Sequence, residues 1–361
     1  MMKKTFIYLS ILIGICVLPI VSCHHDNTIT PIITPSNIVE ITANIENVTT
    51  WETGKIYVIK KWDFYVDNTL TIQPGVIIKF HPTLGPNLTL GGTGTILANG
   101  TAASPIIFTS FKDDANGGDT NGDGTATTAA KADWGTINTN GLNSSVFNHC
   151  NFFFSGMSQY AALAITSSSN ATVTNCLFAH NDGFYGDEGA LSAADAGSAT
   201  IIRNNIFYDN VKPLSVNTLF SLDSSNVFHN PNSPTQTNTY NDIFIESINE
   251  IATPITYLET EVAFIINDND LWISSTLTLG NNVVIKFKPA STIVLNNGAT
   301  SSIINYNGTG VVFTSYKDDS LKGDSNADGT ATSPAANDWG GIYDNGTSVY
   351  MTWANIHYDS Y

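Results

Sequence analysis

His149-Cys150-Asn151-Phe152, Asn175-Cys176-Leu177-Phe178, Asn204-Asn205-Ile206-Phe207 and Ser225-Asn226-Val227-Phe228 are variants of one short string, aligned on phenylalanines that lie 26, 29 and 21 residues apart. Trp353-Ala354-Asn355-Ile356 fits the same frame near the last residue. Each string opens a short β run with alternating side chains and is followed by a polar stretch rich in Asn, Asp, Ser and Gly. A period of two places Phe152, Phe178, Phe207 and Phe228 on one face, with Cys150, Cys176, Asn205 and Asn226 two residues earlier on that face. Beyond the first 22 residues no sustained 3.6-residue apolar pattern occurs, so helix content should be minimal. β-only units of this length cannot bury an apolar face alone; stacked, they share a continuous core. Uneven spacing suits a solenoid with variable loops better than a propeller blade.

Working outward, a longer repeat encloses these strings. TLTIQPGVIIKF at 69–80 returns at 276–287 as TLTLGNNVVIKF. PIIFTSFKDDANGGDTNGDGTATTAAKADWGTI at 105–137 returns at 310–342 as GVVFTSYKDDSLKGDSNADGTATSPAANDWGGI, identical at 19 of 33 positions. With these blocks and the coil strings together, the chain resembles right-handed parallel β-helix repeat proteins of pectate-lyase-like fold from about Trp51 onward. The resemblance implies an all-β solenoid with an internal asparagine ladder, in which Asn205 and Asn226 would hydrogen-bond between coils. Cys150 and Cys176 would then sit one strand spacing apart, as packed free thiols or, less easily in register, as a disulfide. The lyase and polygalacturonase chemistries do not carry over. Arg203 is the sole arginine, placed as an outward strand residue, and no N-T-D, G-H-G or R-I-K string is present. Fold alone licenses no activity.

The N-terminus reads as an export signal. Lys3 and Lys4 precede an apolar run from Phe6 to Val21, too short for a stable membrane span. Ile20-Val21-Ser22-Cys23 resembles the lipobox of bacterial lipoproteins, which implies cleavage before Cys23 and lipid on that cysteine. The expected organisation is a signal peptide at 1–22, a flexible tether at 23–50, a β-helix with the first acidic loop at 51–235 and a second module at 236–361. The expected location is the cell envelope, outside the cytoplasm and held to a membrane by lipid, with the outer membrane or cell surface favoured. His24, His25 and Asp26 follow the anchor directly, where a mobile tether cannot pre-organise a metal site.

Charge narrows the partners. Without Lys3 and Lys4 the chain has 12 basic against 31 acidic residues, a formal net of −19. Such a surface repels nucleic acid and anionic lipid. With one arginine, recognition of polyanionic substrates is disfavoured as well.

The strongest candidate site is the repeated acidic loop: Asp113, Asp114, Asp119, Asn121 and Asp123, and again Asp318, Asp319, Asp324, Asn326 and Asp328. The pattern D-x-N-x-D-G sets oxygen ligands at alternating positions around a turn, which suits Ca²⁺. It resembles the first half of an EF-hand loop but carries Ala130 and Ala335 where a bidentate acid should close the site. Asp133 and Asp338, three residues further on, are the expected substitutes. The competing account is a bare loop of Asx turns. Duplication within a module favours structural calcium over catalysis. For acid–base chemistry the candidates are His180, Asp182, Tyr185, Asp187 and Glu188 in the longest inter-coil loop. Of the six tryptophans, Trp134 and Trp339 occupy equivalent places after the acidic loops and should pack them onto the core, whereas exposed ones would offer sugar-stacking platforms. The sequence therefore reads as an envelope-anchored, calcium-stabilised β-helix scaffold with a glycan-binding or adhesive role. The alternative is a polysaccharide lyase or glycoside hydrolase on the same solenoid.

Overall fold

The computed structural model describes residues 37–183, 188–247, 250–267, 270–296 and 302–361. Asn37–Tyr361 is one right-handed parallel β-helix. Cys23 and its flanking histidines lie outside the described residues, as do Tyr185 and Asp187. The only helical element described is a 3₁₀ turn at Met157–Gln159, and no described helix is long and apolar enough to cross a membrane.

Each coil contributes one strand to each of three faces. A seven-stranded sheet runs from Ile38–Ile41 to Ile206–Tyr208, a six-stranded sheet from Thr49–Trp51 to Ile201–Arg203, and a ten-stranded sheet from Asp63–Val66 to Val312–Ser315. Pairing within these three sheets is parallel. The corner between the six- and seven-stranded sheets explains the first letter of the coil strings. His149, Asn175 and Asn204 sit there in the left-handed conformation, with φ of 49°, 56° and 57°. Asparagine tolerates that conformation better than most residues.

The inward columns are as the period of two requires. Phe152 pairs with Phe178 and Phe178 with Phe207, all fully buried. Their rings stack at 4.6 Å and 5.1 Å, with Phe228 next at 5.4 Å and Phe108 preceding at 5.0 Å. Ile356 bridges to Phe313 as Phe152 pairs with Phe108, so the fifth string keeps the frame. Asn205 Nδ2 donates to Asn226 Oδ1 at 3.1 Å and to the Val173 carbonyl at 3.0 Å, and Asn205 Oδ1 accepts the Cys176 amide. Cys150 and Cys176 are buried free thiols. Burial pushes the Cys150 thiol up, with Cys176 adding to the effect.

A second amide ladder, unforeseen from sequence, runs one corner further on. Asn181 Nδ2 donates to Asn210 Oδ1 at 2.9 Å, and Asn210 Nδ2 to Asn238 Oδ1 at 2.8 Å. Each amide also donates to a carbonyl beneath it, Phe152 for Asn181 and Phe178 for Asn210.

One boundary needs correction, and the two modules prove to be one continuous solenoid. The solenoid begins well before Trp51: Ile38–Ile41 pairs in parallel with Ile56–Ile59, and Val39, Ile41 and Ile45 pack on the core. Residues 37–50 are therefore a coil and not part of the tether. The division at 235 does not break the solenoid either, because Leu214–Asn217 pairs directly with Ile243–Ser247 in the ten-stranded sheet. Between those two strands lies an antiparallel hairpin, His229–Asn230 with Ser233–Thr237.

Asn210→Ala should lower stability by about 1–3 kcal/mol, because it strands the Asn181 amide and the Phe178 carbonyl inside the protein. The midpoint of urea denaturation reads this out. An unchanged midpoint would mean that the ladder is ornamental.

Candidate metal centre

In both modules the acidic loop folds back over an outward sheet face. In the first, Val58, Lys79 and Thr109 share an outward row, and all three are buried. Loop residue Gly117 lies so close that a Cβ there would meet Ile56 Cδ1 at 2.9 Å, and its φ of +84° is in glycine's territory. In the second, the outward row Phe244, Ile265, Lys286 and Thr314 lies beneath Tyr316 and Leu321.

The buried lysine of each VIKF run pins the loop. Lys79 Nζ donates to the carbonyls of Asp113 at 2.8 Å and Gly118 at 2.9 Å. Lys286 Nζ donates to the Gly323 carbonyl at 2.7 Å and to Ser325 Oγ at 2.6 Å. Burial pulls both ammonium groups down, while neighbouring carboxylates push back: Asp113, Asp114 and Asp119 on Lys79, and Asp242, Asp318, Asp319 and Asp324 on Lys286. Asp242 is a fully buried acid beneath the second loop; burial pushes it up to about 6 against the pull of Lys286 and Ser325.

The ten acidic-loop candidates divide by role. Asp113 and Asp318 lie outside the two compact carboxylate groups. Each is buried and accepts a threonine hydroxyl, Thr109 at 2.6 Å and Thr314 at 2.7 Å, which closes the turn at the base of the loop. Asp114, Asp119 and Asp123 form one triad and Asp319, Asp324 and Asp328 the other, each with carboxylate oxygens within 4.8 Å of one another, and each can hold a metal ion. Asn121 and Asn326 orient the triads by donating to Asp123 and Asp328 at 2.9 Å. Asp119 accepts the amides of Gly122, Asp123 and Gly124, so the Asx-turn account of the loop also holds for that residue.

The oxygens left over decide whether a cation fits. Asp114 Oδ1, Asp123 Oδ1 and Asp319 Oδ1 are enclosed and have no hydrogen-bond partner. A shielded carboxylate oxygen among other carboxylates is costly unless a cation faces it. Loss of solvent and then the Asp324 carboxylate push Asp319 up, whereas the Thr332 hydroxyl holds Asp328 down. An all-oxygen donor set of this kind suits a hard divalent cation.

Asp133 and Asp338 do not close the sites. They pair with Lys112 and Lys317 at 2.6 Å and 2.8 Å and accept Ser110 Oγ and Ser315 Oγ, latching the far end of each loop to its start. Trp134 and Trp339 complete the latch as expected. Their indoles stack on Phe80 and Phe287 at 4.2 Å and 3.9 Å and donate to the carbonyls of Phe153 and His357. Trp62 and Trp272 are the exposed tryptophans, at 58% and 40%.

The acid–base candidates separate. His180 Nδ1 contacts Asp209 Oδ2 at 2.5 Å, and Lys131 Nζ contacts the other oxygen at 3.0 Å. Burial works to raise Asp209, but the hydrogen bonds and charges of His180 and Lys131 together hold it down, while burial pushes Asp182 up against the pull of Lys131. Glu188 turns elsewhere and accepts the Ala161 amide at 2.5 Å. Asp209 and Lys131 were missed because they stand 29 and 49 residues from His180 in sequence. Only coil stacking brings them to it. Arg203 lies outward, as read from sequence, and pairs with Asp223 at 3.0 Å.

Comparison with known proteins gives no match: no family model, curated protein or solved structure aligns with this chain.

Lys79→Met keeps the apolar stem but leaves the Asp113 and Gly118 carbonyls unpaired. It should cost about 1–3 kcal/mol and speed protease cleavage within 111–133. Limited proteolysis with mass spectrometry checks this; an unchanged cleavage map would remove the lysine from the clamp.

Proposed function

We propose that this chain is an envelope lipoprotein whose β-helix, clamped by calcium in two acidic loops, is a rigid surface scaffold that binds glycan or another cell-surface ligand. The observation that carries it is the duplicated aspartate triad with enclosed, unpartnered oxygens. A metal needed twice, at equivalent places in a repeated unit, serves the repeat and not a single reaction. Calcium is the favoured cation because the donors are all oxygen and the loop is long enough to supply carbonyls and water beside the carboxylates. The lipid half rests on Lys3, Lys4, the apolar run and Cys23. Two or more acyl chains on that cysteine make a durable anchor.

A second reading, a lyase or glycoside hydrolase, draws on one cluster. Asp182 and Asp209 flank Lys131, and their surroundings push the two carboxyls in opposite directions, as an acid and a base require. A reducing-end assay on neutral and acidic polysaccharides tests it; no release removes it.

Chelation should lower the melting temperature and added Ca²⁺ restore it. Each site contributes about 2.7 kcal/mol at a hundredfold excess of calcium over its dissociation constant. The Asp119→Asn, Asp324→Asn double variant should melt identically with and without chelator. A native protein indifferent to chelator sinks the calcium claim. In cells, Cys23→Ala should lose labelled-palmitate incorporation and move from the membrane to the soluble fraction; retention of both would reject the anchor.

A further inference from the structure

The second acidic loop covers the far end of the ten-stranded sheet and leaves the outward face near its start open. There Tyr65, Thr89 and Asn138 follow one another in register across three adjacent strands. Beside them runs a groove of about 310 Å³, lined among others by Thr89, Thr136, Asn138, Tyr160 and Glu188. Its polar groups are preset. Asn138 Oδ1 accepts Thr166 Oγ1 at 2.8 Å, which turns the amide nitrogen outward, without a partner among the described residues. Thr136 Oγ1 is enclosed and also unpartnered. Tyr160 is 43% exposed and Tyr65 40%, each offering a ring beside those donors and acceptors.

An amide donor, threonine hydroxyls, a carboxylate acceptor and half-exposed phenol rings match a ligand dense in hydroxyls with apolar C–H faces. That combination is a sugar. The row advances about 4.8 Å per strand, so a chain lying along the solenoid axis meets a fresh polar residue at each coil. Among the described residues, Glu188 is the only charged one lining the groove, and no lysine or arginine lines it to receive an anionic sugar. We propose that this groove is a binding subsite for a neutral glycan running along the ten-stranded sheet. The proposal rests on the glycan-binding part of the function above and adds the place and the charge class.

The test is calorimetric titration of the mature full chain with neutral oligosaccharides (gluco-, manno- and chito-series) and acidic ones (oligogalacturonate, oligoalginate). Neutral binding weakened at least tenfold in both Tyr160→Ala and Asn138→Ala, at unchanged melting temperature, is the expected result. Glu188→Gln should admit the acidic series. Neutral binding that survives both variants overturns the site while leaving the glycan function standing. Binding of the acidic series alone by the native protein overturns the charge assignment and with it the proposal. No binding of either series overturns the site and the glycan function together.

Discussion

No coil of this protein can bury its own apolar edge, and everything else follows from that constraint. A strand of three or four residues has one inward row, and only the coils above and below can cover it. Identical inward residues in register are the direct solution, which is why five aromatic rings from Phe108 to Phe228 stack at 4.6–5.4 Å. The same rule governs polar groups. An asparagine facing inward is tolerable because the amide of the next coil answers it, as Asn181, Asn210 and Asn238 show. Stability is thus held in nearest-neighbour terms, and a coil without neighbours would have neither core nor ladder.

The outward faces obey the opposite logic. Where they carry apolar rows, as at Ile56 and Ile77 or at Phe244 and Ile265, something must cover them, and the acidic loops do so. Placing the loop lysine in the outward row gives the covering segment a fixed point of attachment. The repeat meets this need twice but not on the same face. Ile77–Phe80 belongs to the seven-stranded sheet, whereas its counterpart Val284–Phe287 belongs to the ten-stranded one. The first loop leads into a strand of the ten-stranded sheet and the second leads out of one, so they leave at opposite edges of that sheet. The two copies of the repeat build the same clamp at different corners because each clamp depends on its own coil and the adjoining ones.

This locality explains what could be read from sequence. The phenylalanine column was legible from a period of two and the tryptophan latches from the repeated block, whereas the Asn205–Asn226 ladder came from the resemblance to β-helix proteins, and the sequence left free thiols and a disulfide both open. The second ladder had a signal, an asparagine three residues after Phe178 and Phe207, but Asn238 arrives ten residues after Phe228, beyond the hairpin. Lys79 and Lys286 were passed over because a lysine in an alternating strand normally points to water; only the loop's return over that face buries it. The first coil lacks an Asn-x-Phe string, so its branched residues read as tether. Asp133 was misjudged for a related reason. Spacing showed a carboxylate near the site but not that Lys112, at the start of the same loop, had already engaged it.

Those corrected roles separate each loop into two mechanical parts. The base is fastened without any metal: Asp113 by Thr109, Asp133 by Lys112 and Ser110, Trp134 by Phe80, with the same arrangement around Asp318, Asp338 and Trp339. The tip, from Asp114 to Asp123, gathers three carboxylates whose repulsion is opposed by Lys79 beneath them and by amide and hydroxyl donors to Asp119 and Asp123, while Asp114 Oδ1 and Asp123 Oδ1 stay unpartnered. A cation in the triad would therefore act on the tip, holding it over the outward row that the loop covers. The proposed calcium would tighten a cover over apolar side chains that the coils cannot bury by themselves, which is why its removal should be felt in their melting.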